Sequence, residues 1–190
     1  MLQKKNNNAW LILTLLIGLS LACGLGEQTD EANKFVVEAN VIIEKNNALI
    51  DKSNRLFTEL LGDNLTKVKD MKGYKEKNKS KFDEVISLTG QIEKSSAEAI
   101  DKFEQASKLK LSEKYKEYLD IKIQEMKKRT EAHKLVVPFV EEFLQTNDMD
   151  KINKLIEDFN EQNIVIDKEV NNLSEKVEQI KKDNPTVIEK

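Results

Sequence analysis

The stretch "MDKINKLIEDFNEQNIVIDKEVNNLSEKVEQI", residues 149–180, decides how the rest of the chain is read. Met149, Ile152, Ile156, Phe159, Asn163, Ile166, Val170, Leu173, Val177 and Ile180 follow one another in alternating steps of three and four. With 3.6 residues per turn, such positions return to one side of a helix, and the result is a heptad seam. Asp148 is placed to cap the start. The "DNP" at 183–185 ends the helix, because the residue before a proline avoids the α region.

The same period runs through the preceding sequence. In "EANKFVVEANVIIEKNNALIDKSNRLF", residues 31–57, Asn33, Asn40, Asn47 and Asn54 recur every seven residues. Beside them run Phe35, Ile42, Leu49 and Leu56, then Val36, Ile43, Ile50 and Phe57. The asparagine row is either the polar border of an apolar stripe or a ladder along the groove to a neighbouring helix. A second helix is marked by Phe82, Val85, Thr89, Ile92, Ser96, Ala99, Phe103 and Ala106. A third is marked by Tyr115, Leu119, Ile123, Met126, Thr130, His133, Val137, Val140 and Leu144, with Ser112 as its cap. Pro138 lies inside the third and should kink it, since it removes a hydrogen bond to the carbonyl one turn back. The expected helices are 30–61, 79–109, 112–146 and 149–182, joined by "KLKLS" (108–112), "TNDMD" (146–150) and a longer connection, 62–78. Short links between long helices imply antiparallel neighbours. The expectation is therefore an all-α, elongated, up-down-up-down four-helix bundle with heptad-like seams, each helix roughly 50 Å long. The runner-up is an extended coiled-coil hairpin that forms a homo-oligomer to cover its seams.

Two features stand out on this frame. Residues 62–81, "GDNLTKVKDMKGYKEKNKSK", carry Lys67, Lys69, Lys72, Lys75, Lys77, Lys79 and Lys81 against Asp63, Asp70 and Glu76, a net charge of +4. Gly62 and Gly73 read as helix breakers. The stretch is either a solvated loop or a contact for an anionic partner, such as an envelope polymer, lipid head groups or an acidic protein face. The second feature is one polar residue at mid-seam in each helix: Asn46, Ser96, Thr130 and Asn163. In an antiparallel bundle these fall near one level. Such a buried polar layer fixes register at a cost in stability, or else it lines a small polar pocket beside His133.

The first 26 residues are of a different kind. Lys4 and Lys5 precede an uncharged run, Ala9–Ala22, "AWLILTLLIGLSLA", and then Cys23, the only cysteine. Basic, then apolar, then small residues is the layout of a bacterial export signal, and the apolar run is shorter than the ~20 residues of a membrane-spanning helix. Here the sequence resembles a bacterial lipoprotein. The resemblance implies cleavage after Ala22, lipid on Cys23, and a membrane partner held through acyl groups. It covers the signal alone. Two other readings stay open: ordinary cleavage, which Ser20 and Ala22 also suit, and an uncut N-terminal anchor. A single thiol builds no internal disulfide, and acylation removes the liability of an exposed one in an oxidising compartment. The expected organisation is a signal peptide at 1–22, a lipidated tether at 23–29, a helical bundle at 30–182 and a tail at 183–190. About seven residues separate Cys23 from the first helix, at most ~25 Å of extended chain. One end of the bundle then stands near the lipid, and the 62–78 connection lies at the far end. Location in the bacterial cell envelope follows from the resemblance. Gly24 after the cysteine, where some two-membrane bacteria use an inner-membrane retention signal, leans toward the outer membrane.

Residues 23–190 carry 29 basic and 34 acidic side chains, a balance of −5, which excludes a general nucleic-acid binder. His133 is the sole histidine, so a two-histidine metal site within one chain is excluded, and the Glu-x-x-His pairs of ferritin-like bundles are missing. No haem-attachment motif, phosphate-cradling glycine loop or serine elbow occurs. No metal, cofactor or catalytic activity is expected. The expected function is that of a lipid-anchored envelope module that binds, spaces or adapts. The alternative is a periplasmic or surface carrier, chaperone-like, for an apolar ligand or an unfolded client.

Overall fold

The computed structural model describes residues 28–62 and 65–184, and these are all-helical, with no strand among them. The signal segment, Cys23, Asp63 and the tail from Pro185 lie outside the described residues. Five helices follow in order: α1 (Thr29–Leu61), α2 (Met71–Ser107), α3 (Glu113–Lys134), α4 (Val136–Gln145) and α5 (Met149–Asp183). A three-residue 3₁₀ turn, Leu65–Lys67, lies between α1 and α2.

Local chemistry explains the boundaries. Ser112 accepts from the Tyr115 N–H at 3.3 Å at the start of α3, and Asp148 accepts from the Asp150 and Lys151 N–H groups at the start of α5. Each satisfies backbone donors that a helix leaves open. Two departures from the sequence expectation are instructive. The second helix begins at Met71, not at 79, so the long connection shrinks to residues 62–70. Asp70 caps it, accepting from the Gly73 N–H at 3.0 Å. Gly73 is no breaker: a Cβ there would run into the Asp70 carboxylate, so the glycine leaves room for the cap. The third expected helix is two, parted at Leu135. Pro138 offers no N–H to the Lys134 carbonyl. Instead, the Leu135 N–H closes a tighter turn onto the Ala132 carbonyl at 3.3 Å.

The packing between helices has a clear sense. α1 and α2 run antiparallel, tied by Glu38–Lys102 and Lys52–Glu84 pairs, both at 2.6 Å, and by a Glu59–Lys81 pair. α3 and α5 also run antiparallel: Lys128 pairs with Glu169 at 2.9 Å, and Lys181 lies over the Tyr118 ring. Lys127–Glu104 joins α3 to α2.

The apolar core is in two parts. At one end, Ala32, Ala39, Ala99, Ala106, Phe103, Tyr115, Leu119 and Val177 belong to one cluster. At the other, Leu60, Phe82, Phe139, Phe143 and Ile152 form a second, into which Phe57 and Phe159 pack. The innermost line of α1 is Ala32, Ala39, Asn46, Ser53 and Leu60, mostly small or polar. The large residues expected at its core, Phe35 to Phe57, flank that line and are only half-buried. The α5 seam is likewise shallower than expected: of its ten positions only Ile152, Val170, Val177 and Ile180 are buried.

Candidate functional site

Three of the four mid-seam polar residues are buried between the two apolar clusters. Asn46 is 3% exposed, and its Nδ2 donates to Ser96 Oγ at 3.0 Å and to the Ile92 carbonyl at 3.4 Å. Its Oδ1 is buried without a partner. Thr130 turns its hydroxyl back to the Met126 carbonyl, and buried Thr89 does the same to Val85. Asn163 departs from expectation. It is half-buried and its Nδ2 donates to the Phe159 carbonyl of its own helix at 2.8 Å. The polar layer therefore joins α1 to α2 through Asn46 and Ser96, while Thr130 and Asn163 satisfy themselves locally. His133 is half-buried nearby in sequence; burial first, and the Arg129 charge second, push its pKa below the ordinary histidine value. In the asparagine row, Asn33 accepts from the Tyr115 hydroxyl across to α3, whereas Asn47 and Asn54 face solvent.

The seven lysines do not form one patch. Because α2 starts at Met71, helical geometry distributes Lys72, Lys75, Lys77, Lys79 and Lys81 around its axis, while Lys67 and Lys69 precede it. Lys75 is turned inward and is 6% exposed. Its Nζ donates to the Thr146 carbonyl and to Asn147 Oδ1, and lies 4.6 Å from the centre of the Phe143 ring. That ties the start of α2 to the α4–α5 turn and lowers the amine's pKa through desolvation. Lys81 pairs with Glu59 and Lys79 with Asp83. Lys67, Lys69, Lys72 and Lys77 are exposed.

A buried carboxylate was hidden in the background of acidic residues. Glu125 on α3 accepts at Oε1 from Arg129 Nε and Nη2 and from Ser174 Oγ on α5, and at Oε2 from Lys122. Burial pushes its pKa up, but Lys122 and Arg129 outweigh burial and hold it below the ordinary carboxylate value. The sequence signal was present: "KIQEMKKR", 122–129, puts a lysine three before and an arginine four after the glutamate, on one helix face.

Nothing among the described residues gathers three or more histidine, cysteine or acidic side chains as a metal site would. Two open depressions are each lined by a single helix, Asp51–Glu59 of α1 and Asn172–Gln179 of α5, so neither is a cleft between elements. No helix among the described residues is long and apolar enough to cross a membrane. Comparison of the chain with known protein families, curated proteins and solved structures finds no match.

Proposed function

We propose that this chain is a lipid-anchored protein of the bacterial envelope. In this reading its helices close into an antiparallel up-down-up-down bundle of four staves, with α3 and α4 sharing the third. It acts as a binding, spacer or adaptor module and not as an enzyme. The antiparallel α1/α2 and α3/α5 pairs support the topology, as do the ring contacts of Phe57 on α1 with Phe139 on α4 and Phe159 on α5. The basic, apolar and small-residue layout that ends at Cys23 supports the anchor reading, and the way the chain enters the fold says which end the anchor would hold. Gln28 is fixed to the α2–α3 turn by two hydrogen bonds, its N–H to the Lys110 carbonyl at 2.7 Å and its Oε1 from the Lys110 N–H at 3.1 Å. A lipid on Cys23, five residues earlier, is thereby held to one end of a body of helices roughly 50 Å long. The opposite end presents Lys67, Lys69, Lys72 and Lys77 for an anionic polymer or acidic protein face.

The test is the intact mass of the protein from its native membrane beside a Cys23→Ala variant. Residues 23–190 plus acyl groups, absent in the variant, is the expected result; a bare 23–190 mass in the soluble fraction overturns the anchor. A second reading, a carrier for apolar ligands, draws on the half-buried rows of α1 and on exposed Ile164 and Val165 of α5. It requires hydrophobic dye to bind the native protein, whereas the spacer reading requires little dye binding and sharp cooperative unfolding.

A further inference from the structure

Resting on the anchor reading, we infer that the α2–α3 turn is a docking tip for an anionic lipid leaflet, with Lys108 and Lys110 meeting the phosphates. The length of chain outside the described residues argues for it. From Cys23 to Gln28 there are five residue steps, at most ~18 Å fully extended. Gln28 is bonded to Lys110 itself, so no rotation of the helices about the tether moves that turn far from the membrane.

Charge points the same way. Residues 105–112 hold Lys108 and Lys110 and no acid. Both lysines are exposed, and neither forms an ion pair among the described residues, unlike Lys114 and Lys181 behind them, which pair with Glu117 and Glu178. Acids flank the turn: Glu104, one helical turn before Lys108, is held by Lys127, and Asp30, Glu31 and Glu113 sit in the first turns of α1 and α3, where the helix dipoles favour them. Leu111 is buried and Leu109 half-buried against the apolar cluster at this end, so the turn is a fixed platform and its two lysines project from it at set positions. Short-range attraction between such lysines and anionic head groups then selects an end-on stance from all the orientations a five-residue tether permits.

Amine acetylation read lysine by lysine tests this on the whole protein in phosphatidylcholine vesicles with and without phosphatidylglycerol. The acylated protein is used as purified; if its thiol proves free, the chain is coupled through Cys23 to a maleimide-bearing lipid, so failure of natural acylation is distinguished from failure of the docking tip. The expected result is a labelling rate at Lys108 and Lys110 about fivefold lower on the anionic vesicles, restored by salt, with Lys72 and Lys69 unchanged. Equal labelling on neutral and anionic vesicles overturns the inference, because proximity alone then accounts for any protection. Equal protection of Lys72 and Lys69 also overturns it, because the molecule then lies flat.

Discussion

Glu125 and His133 both make the fold sensitive to acid, with the same sign in separate ranges. The Glu125 pKa is depressed in the folded chain. Its contribution is complete above the ordinary carboxylate value and is lost as pH falls through the lower, folded value. Glu125→Gln keeps the shape but weakens the bonds from Arg129 and Lys122, and should lower stability at neutral pH by about 1–2 kcal/mol. Both partners reach solvent, so the loss stays below that of breaking a fully buried pair. Denaturant titration at neutral and at strongly acidic pH checks it: the gap between parent and variant should close in acid. The His133 pKa is also lowered, by burial first and Arg129 second, so folding favours the neutral ring. Its contribution is complete above the ordinary histidine value and disappears at mildly acid pH, before Glu125 titrates. A His133→Gln variant should lose less stability than the parent on going from neutral to mildly acid pH; an identical loss would place the pH response elsewhere. Charge density alone does not separate a solvated carboxylate from a bonded one such as Glu125; the lysine three before it and the arginine four after it are the signal that does. Lys75 was misread for the converse reason: a four-carbon stem lets a lysine enter a core when carbonyls wait at its tip.

Among the elements, α2 shows best what a glycine means in context. Gly90 is exposed in mid-helix, and a Cβ there meets nothing within 4 Å. Gly90→Ala should raise stability by about 1 kcal/mol, because alanine has less backbone freedom to lose on folding. Gly73→Ala should act oppositely, since its Cβ collides with the Asp70 side chain that caps the helix; a loss of about 1 kcal/mol, the worth of an N-cap, is expected. Thermal unfolding of the two variants checks both signs at once. The same helix marks how far the sequence was legible. Period-seven patterning is strong wherever large apolar residues recur, so four long helical stretches are legible in the sequence, the third of them split in two in the fold, and capping by Ser112 and Asp148 is visible from residue type. The lysine-rich 71–78 segment reads as loop because lysines solvate well, although lysine is a good helix former and Asp70 with Gly73 is a capping pattern. The inner line of α1 escaped for a related reason. Ala32, Ala39, Asn46 and Ser53 are too small or polar to register on a hydrophobic scale, yet with Ala99 and Ala106 opposite they leave little side-chain bulk between α1 and α2.

For the whole molecule, the division of the core into two apolar clusters has a mechanical consequence. Between them Asn46, Ser96, Thr89 and Thr130 are buried beside Leu88, Ile92 and Val170, and Asn46 Oδ1 stays unbonded there. Burying an amide oxygen without a partner costs free energy, which lowers cohesion at that level. Damage to one cluster should then spread poorly to the other. Phe143 tests this, because it is fully buried at the α4–α5 end, packed on Phe82 and Phe139, and beneath the Lys75 amine. Phe143→Ala should cost about 3–5 kcal/mol in that cluster. If the halves open separately, amide exchange should accelerate by orders of magnitude in α4 and in the turns at 62–70 and 146–148. Amides of Tyr115–Met126, in the opposite cluster, should keep much of their protection, because they exchange through a different opening. Uniform acceleration along all five helices would mean that the polar middle transmits stability as well as apolar packing does, and that the molecule unfolds as one unit. Independent opening would instead let the end that carries the Lys75 contact loosen around a partner while the end joined to Gln28 stays closed. That is the division of labour expected of a module held at one end and engaged at the other.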